Sequence, residues 1–202
     1  MTPSLDSRIA AEVTLALLEA IRSTDSPQEV LQDEDIYRTM PRKFGLSAVV
    51  DRQIELYRSR VRKKVRLTRE EFAEFMKLVI KRPDSADIFR AMGASLADKE
   101  IPRRMWWLPR FLRLRQTKKR MERSLRRLFG RRVGGFASGA FIFEVSASPF
   151  VQMDGSGDAC EVITGFCQLA LKKGVDPKMV VAKRSCETNG HRVCRWVAEA
   201  RG

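Results

Sequence analysis

Residues 179–200 read MVVAKRSCETNGHRVCRWVAEA. Two runs of strand-forming residues, MVVAKRSCE and HRVCRWVAEA, flank Asn189-Gly190, a dipeptide that favours a tight hairpin turn. An antiparallel ribbon here decides the fold class, because most of the chain before it patterns as helix. The ribbon also carries Cys186, Cys194 and His191, the only histidine of the chain. A two-residue Asn-Gly loop puts Cys186 opposite Val193. Cys194 then points to the other face, because side chains alternate along a strand. The two sulfurs meet only if the loop is odd, for example three residues with a glycine bulge at Gly190. The sequence allows either.

Working outward, DACEVITGFCQLALKKG (158–174) reads as a helix, with Asp158 near its start and Gly174 at its end. FASGAFIFEVSASPFV (136–151) alternates as a strand, with Phe141, Phe143 and Val145 on one face and Ile142 and Glu144 on the other. Everything before about residue 130 patterns as helix with short breaks. Ile9, Val13, Ala16, Leu17 and Ala20 share one face at helical spacing, and that helix stops near Ser23-Thr24-Asp25-Ser26. Ser26-Pro27-Gln28-Glu29 and Thr68-Arg69-Glu70-Glu71 each read as a helix start of the capping-box type. The second precedes a stripe of Phe72, Phe75, Met76 and Val79, and a further helix spans about Asp84 to Leu96. The order argues an α+β protein: a helical N-terminal half and a small antiparallel sheet with packed helices. Two units are expected, a helical segment over 1–83 that packs on the core, and a ligand-binding domain over 84–202.

Residues 101–132, IPRRMWWLPRFLRLRQTKKRMERSLRRLFGRR, hold thirteen Lys or Arg and one acid, Glu122. Leu112, Met121, Leu125, Leu128 and Phe129 supply an apolar stripe, so this is a basic amphipathic helix with Trp106-Trp107 before it. The whole chain of 202 residues carries a net charge of +14, which points to an anionic partner and is silent on fold. The helix fits a solvated face, a membrane surface or a clamp for an anionic ligand. Nucleic acid is the weakest reading, because no nucleic-acid motif accompanies the charge. No apolar run reaches the roughly 18 residues of a transmembrane helix, and MTPSLDSRIAAEVTLALLEAIRS does not pattern as a signal peptide. A cytoplasmic protein, peripheral to the membrane at most, is the expectation. There, cysteines are more often thiols or metal ligands than disulfides.

Cys160 and Cys167 lie seven residues apart on the predicted helix, about 10 Å along its axis. One tetrahedral metal ion, about 2.3 Å from each sulfur, can take both only if the helix starts after Cys160. The metal set read from the sequence is therefore Cys160, at the helix start, with Cys186 and Cys194. His191, Glu187, water or a bound substrate would be the fourth ligand. Inert buried thiols and a redox pair remain open beside it. No dinucleotide-binding glycine pattern is present, and His191 has no evident catalytic partner, so the chain reads as a binding protein rather than an enzyme.

Cys160, Gly165, Cys186, Gly190 and Cys194 together resemble the signature of the vinyl-4-reductase domain family. That family is similar in fold to the small subunits of the TRAPP vesicle-tethering complex, and it includes sensory domains of phenol-responsive bacterial activators. In those sensors three cysteines at this relative spacing hold zinc, with a glutamate three residues before the middle one. That position is Lys183 here. Upstream, ASLADKEIPRRMWWLPRFLRLR (94–115) and FASGAFIFEVSASPFV resemble the member found in bacteriochlorophyll biosynthesis gene clusters, a 4-vinyl reductase or tetrapyrrole carrier. Ile101-Pro102 and Phe136-Ala137-Ser138-Gly139 are kept. Arg132-Val133-Gly134 stands where an aromatic residue and a histidine are expected. The match covers about residues 85–198. It implies a pocket for an apolar, anionic small molecule, a tetrapyrrole intermediate being the named candidate. Phe136, Phe141, Phe143, Phe150, Trp106, Trp107, Arg103 and Arg104 are the candidate ligand contacts. The partners expected are that ligand, an anionic membrane surface and a second copy in a homodimer. The alternatives are an adaptor docking through the basic helix, and a reductase with an external electron donor.

Overall fold

The structure, a computed structural model, describes residues 8–25, 41–103, 107–130, 133–137 and 141–200. The capping box expected at Ser26–Glu29 lies outside them. Among the described residues the chain is α+β, with six α-helices and small antiparallel sheets.

A two-residue strand β1 (Ile9–Ala10) leads into α1 (Ala11–Asp25). α2 (Pro41–Arg62) turns into β2 (Arg66–Leu67), which pairs antiparallel with β1 through Ile9 with Leu67 and Ala10 with Arg66. The predicted face of α1 is buried, but so is a second one. Val13, Ala16, Leu17 and Ala20 join the main core, whereas Ala11, Leu15 and Leu18 pack with Ile54, Tyr57 and Leu67 in a smaller cluster. α1 is thus clasped between α2 and the later helix Ser85–Glu100. A wide apolar arc is what two-sided burial requires.

Helix α3 (Arg69–Ile80) opens on the expected capping box. The Glu71 N–H donates to Thr68 Oγ1 at 3.1 Å, and the Thr68 N–H donates to Glu71 Oε2 at 2.8 Å. Phe72, Met76 and Val79 are buried, and Phe75 is half-buried against both clusters. α4 spans Ser85–Glu100 and the basic helix α5 spans Arg110–Phe129, buried along Met121, Leu125, Leu128 and Phe129.

The stretch read as one strand is a hairpin followed by turns. β3 (Gly135–Phe136) pairs with β4 (Ile142–Val145), Phe136 facing Phe143. After Val145 the chain leaves the sheet: Ala147 has φ 49°, and Pro149 has no N–H to give a ladder. β5 (Met179–Ser185) and β6 (Cys194–Ala200) complete a four-stranded antiparallel sheet ordered β3-β4-β6-β5.

Helix α6 (Glu161–Gly174) lies between this sheet and α4. On the sheet side the Trp196 indole N–H donates to Thr164 Oγ1 at 2.9 Å. The Gln168 amide closes the β5 edge, donating to Met179 O at 2.7 Å and accepting from the Val181 N–H at 2.9 Å. On the other side α6 and α4 meet backbone to backbone. A Cβ at Gly93 would stand 1.9 Å from Val162 O, and one at Gly165 would stand 2.0 Å from Arg90 O. One buried cluster runs from Ile9 to Trp196, across the expected 83/84 boundary.

Candidate metal centre

Cys160, Cys186 and Cys194 converge where α6 begins and the β5–β6 connection folds over it. Each is at most 3% exposed. Cys186 Sγ lies 3.5 Å from Cys194 Sγ and 3.9 Å from Cys160 Sγ, and all three sulfurs fall within 4.8 Å of one another. Sulfurs about 2.3 Å from one tetrahedral zinc ion stand about 3.8 Å apart. These two separations straddle that value, and the three buried cysteines are close enough to hold a metal ion. Cys167, one helical stretch on, is buried apart from them, and burial pushes its thiol pKa up.

The hairpin reaches this geometry by an unexpected route. The connection between β5 and β6 is residues 186–193, with a turn of 3-10 helix at Glu187–Asn189 and Gly190 at φ 81°. The odd residue is not in that loop. Lys183 faces Trp196 but Ser185 faces Arg195, so β5 bulges at Arg184. Without the bulge, the Lys183–Trp196 register would set Cys186 against Val193. With it, Cys186 comes opposite Cys194. Ser185 Oγ then donates to Val193 O at 2.9 Å and closes the base of the loop.

Cys160 is placed from the other side. Asp154, 2% exposed, accepts hydrogen bonds from the Ser156 N–H, Ser156 Oγ and the Ala159 N–H at 2.9, 2.6 and 2.8 Å. Burial works against its carboxylate, but these donors win and hold its pKa below the ordinary value. The resulting turn carries the 3-10 segment Asp158–Cys160 into α6. Ser85 Oγ donates to Asp158 Oδ2 at 2.6 Å, tying the turn to α4. Gly157 has φ 86°, and a Cβ there would come within 2.7 Å of Thr188 Oγ1 and 3.5 Å of Cys186 Sγ.

The electrostatics favour a thiolate at Cys194. The Cys194 pKa is lowered, first by the Cys160 thiol that donates to it, then by the Glu187 N–H, 3.3 Å from its sulfur, and by Cys186. The Cys160 thiol shifts up for the reciprocal reason. Thr188 Oγ1 donates to Cys186 Sγ at 3.2 Å. Lys183, at the position where the resembled sensors carry a glutamate, faces the cluster as a cation. Its Nζ is 2.8 Å from Glu161 Oε1, and Arg90 reaches Glu161 Oε2 at 2.8 Å. Burial opposes the Lys183 ammonium, but Glu161, Cys160 and Cys186 raise its pKa. Three thiolates and a divalent ion would carry one net negative charge, which the Lys183–Glu161–Arg90 group, with one positive charge in excess, would balance.

Neither the His191 ring nor the Glu187 carboxylate joins the three sulfurs. His191 is exposed. The Glu187 carboxylate is taken up by the Ala147 and Ser148 N–H groups at 2.7 and 3.0 Å.

Of the candidate ligand contacts, Phe136, Phe141 and Phe143 pack together, with ring centres 4.9 Å (Phe136–Phe141) and 5.0 Å (Phe136–Phe143) apart. Phe141, Phe143 and Phe150 are buried core residues. Phe150 packs edge-on to Phe129 with ring centres 5.3 Å apart, and Phe143 lies 6.3 Å from Trp196. Phe136 is half-buried and borders a groove of about 430 Å³ with Gly134, Gly135, Ala137, Glu144, Ser146 and Val193. The Lys118 ammonium stands 5.3 Å above the Phe136 ring. Arg103 edges a cleft of about 30 Å³ beside Arg113 and Arg120, room for about one water. Trp107 is 64% exposed. Arg104 and Trp106 lie outside the described residues. Among the described residues, no helix is long and apolar enough to cross a membrane.

Asp154, Lys183, Glu161 and Thr188 organise the centre but are absent from the sequence-derived set. For Asp154 the signal is Asp154-Gly155-Ser156, a turn in which the acid bonds its own backbone two residues on. A scan against models of protein families and a search of curated proteins both find no match to this chain.

Proposed function

We propose that this chain is a zinc-holding, small-molecule-binding domain of the vinyl-4-reductase type, acting as a carrier or accessory protein. The observation that carries the reading is the convergence of Cys160, Cys186 and Cys194 at separations that suit one zinc ion. The donor chemistry agrees: soft sulfur ligands, one thiol already lowered in pKa, and enclosure from water. Bound there, zinc would supply structure, joining the β5–β6 loop to the start of α6. It would neutralise thiolate charge that is otherwise costly to bury.

The ligand in this reading is apolar and anionic, with a tetrapyrrole intermediate as the named candidate. The groove beside β3 supports it. Its size falls within the range of small-molecule sites, and it sets an aromatic face (Phe136) near a cation (Lys118). A conjugated ring bearing a carboxylate matches that pairing. Titration of the purified protein with a magnesium porphyrin at micromolar concentration tests this. A shifted absorption spectrum that weakens in Phe136→Ala, together with a ligand-dependent rise in melting temperature, is the expected result. An unchanged spectrum and melting temperature would remove the tetrapyrrole.

A further inference from the structure

The outer face of α5 carries cations that the fold does not neutralise. Arg115, Lys119 and Arg123 follow one another at intervals of four residues, and Arg126 comes three later. That spacing puts them on one helical face, over about 17 Å of its length. All four are exposed. Among the described residues, none of them takes part in an ion pair. Arg127 on the adjoining flank differs: it meets Glu12 and Glu100 and so belongs to the fold. At the N-terminal end the same row begins with Phe111, four residues before Arg115 and 69% exposed. Four residues earlier still, in the turn before α5, Trp107 is 64% exposed.

We propose that this face docks on an anionic lipid surface, with Trp107 and Phe111 entering the headgroup layer and the row Arg115–Lys119–Arg123–Arg126 lying over the lipid charges. Charge complementarity demands an anionic occupant. The two large exposed rings at the end of the row select a membrane, because an interfacial helix needs apolar insertion as well as cations. A fully hydrophilic anionic partner would leave both rings in water. The proposal does not depend on the metal centre or on the small-molecule ligand.

Co-sedimentation of the full chain with vesicles tests it, using phosphatidylcholine alone and phosphatidylcholine with about a third phosphatidylserine. Binding is expected only to the anionic vesicles, falling steeply as salt rises, since the Debye length shrinks to about 8 Å at physiological strength. Each surface cation is worth roughly fivefold in partitioning. Arg115→Gln with Lys119→Gln should therefore weaken binding about 25-fold. Lys77→Gln with Lys81→Gln, the same loss of charge at the C-terminal end of α3, should leave it within about twofold. Trp107→Ala with Phe111→Ala should lower binding while leaving its salt dependence in place. Equal weakening by the two charge pairs, no binding to anionic vesicles, or a preference for a single-stranded oligonucleotide over vesicles would each overturn the proposal.

Discussion

Gly165→Ala would place a methyl group 2.0 Å from Arg90 O, 2.8 Å from Arg90 C and 3.1 Å from the Ala94 nitrogen. An ordinary carbon–oxygen contact is no closer than about 3.3 Å, so the overlap exceeds about 1 Å. The obstructing atoms are backbone atoms of α4, and no rotamer change relieves them. Alanine itself favours a helix interior over glycine by about 1 kcal/mol. Forcing a methylene into packed space costs about 1–3 kcal/mol, more where backbone must move. Because backbone must move, the steric cost is at least about 3 kcal/mol, and a net loss of about 2 kcal/mol follows. In urea that lowers the unfolding midpoint by about 1 M, taking a slope of about 2 kcal/mol per molar. Gly155→Ala is the control, because a Cβ there meets nothing within 4 Å. It should stay within about 0.5 kcal/mol of the parent. A Gly165→Ala protein as stable as the parent, or stabilised by the propensity gain, would refute the backbone-to-backbone crossing of α4 and α6.

The turn ahead of Cys160 makes a pH-dependent prediction. The folded pKa of Asp154 lies below its unfolded value, so its contribution is present above about pH 3.9 and is lost as pH falls through the folded pKa. Asp154→Asn should cost about 1–3 kcal/mol near neutral pH and flatten the acid limb of the stability profile; equal acid limbs would contradict it. In metal-free protein the Cys194 thiolate should form below the ordinary thiol value of about 8.5. Thiolate absorbance near neutral pH should therefore be seen in the parent and vanish in Cys194→Ser. A parent protein whose thiols all titrate above about 8.5 would contradict it.

The fold was legible where local chemistry speaks. The Thr68–Glu71 capping box, the α1 face and the start of α6 all follow from residue type and period. The separation of Cys167 from the metal set follows from the helical rise together with the 3-10 turn that continues the helix back to Cys160. The bulge at Arg184 was not legible, because an extra residue in an edge strand changes register without changing the apolar pattern. The parity argument still showed that something odd was needed for Cys186 to meet Cys194. The second buried face of α1 was hidden because burial depends on a partner, α2, distant in sequence. For Phe141, Phe143 and Phe150 the sequence does not separate core from pocket wall, because an apolar side chain reads the same in either role. Asp154 carries no metal-ligand signal in the sequence because its role is to fix a turn, through the Ser156 hydroxyl and the backbone N–H groups of Ser156 and Ala159.

Zinc content of the protein as purified, measured by elemental analysis, tests the central claim most directly. The account predicts close to one zinc per chain, lost with Cys160→Ser, Cys186→Ser or Cys194→Ser and kept with Cys167→Ala. A protein that carries no metal, takes up none at micromolar zinc and melts at the same temperature with and without chelator would contradict it.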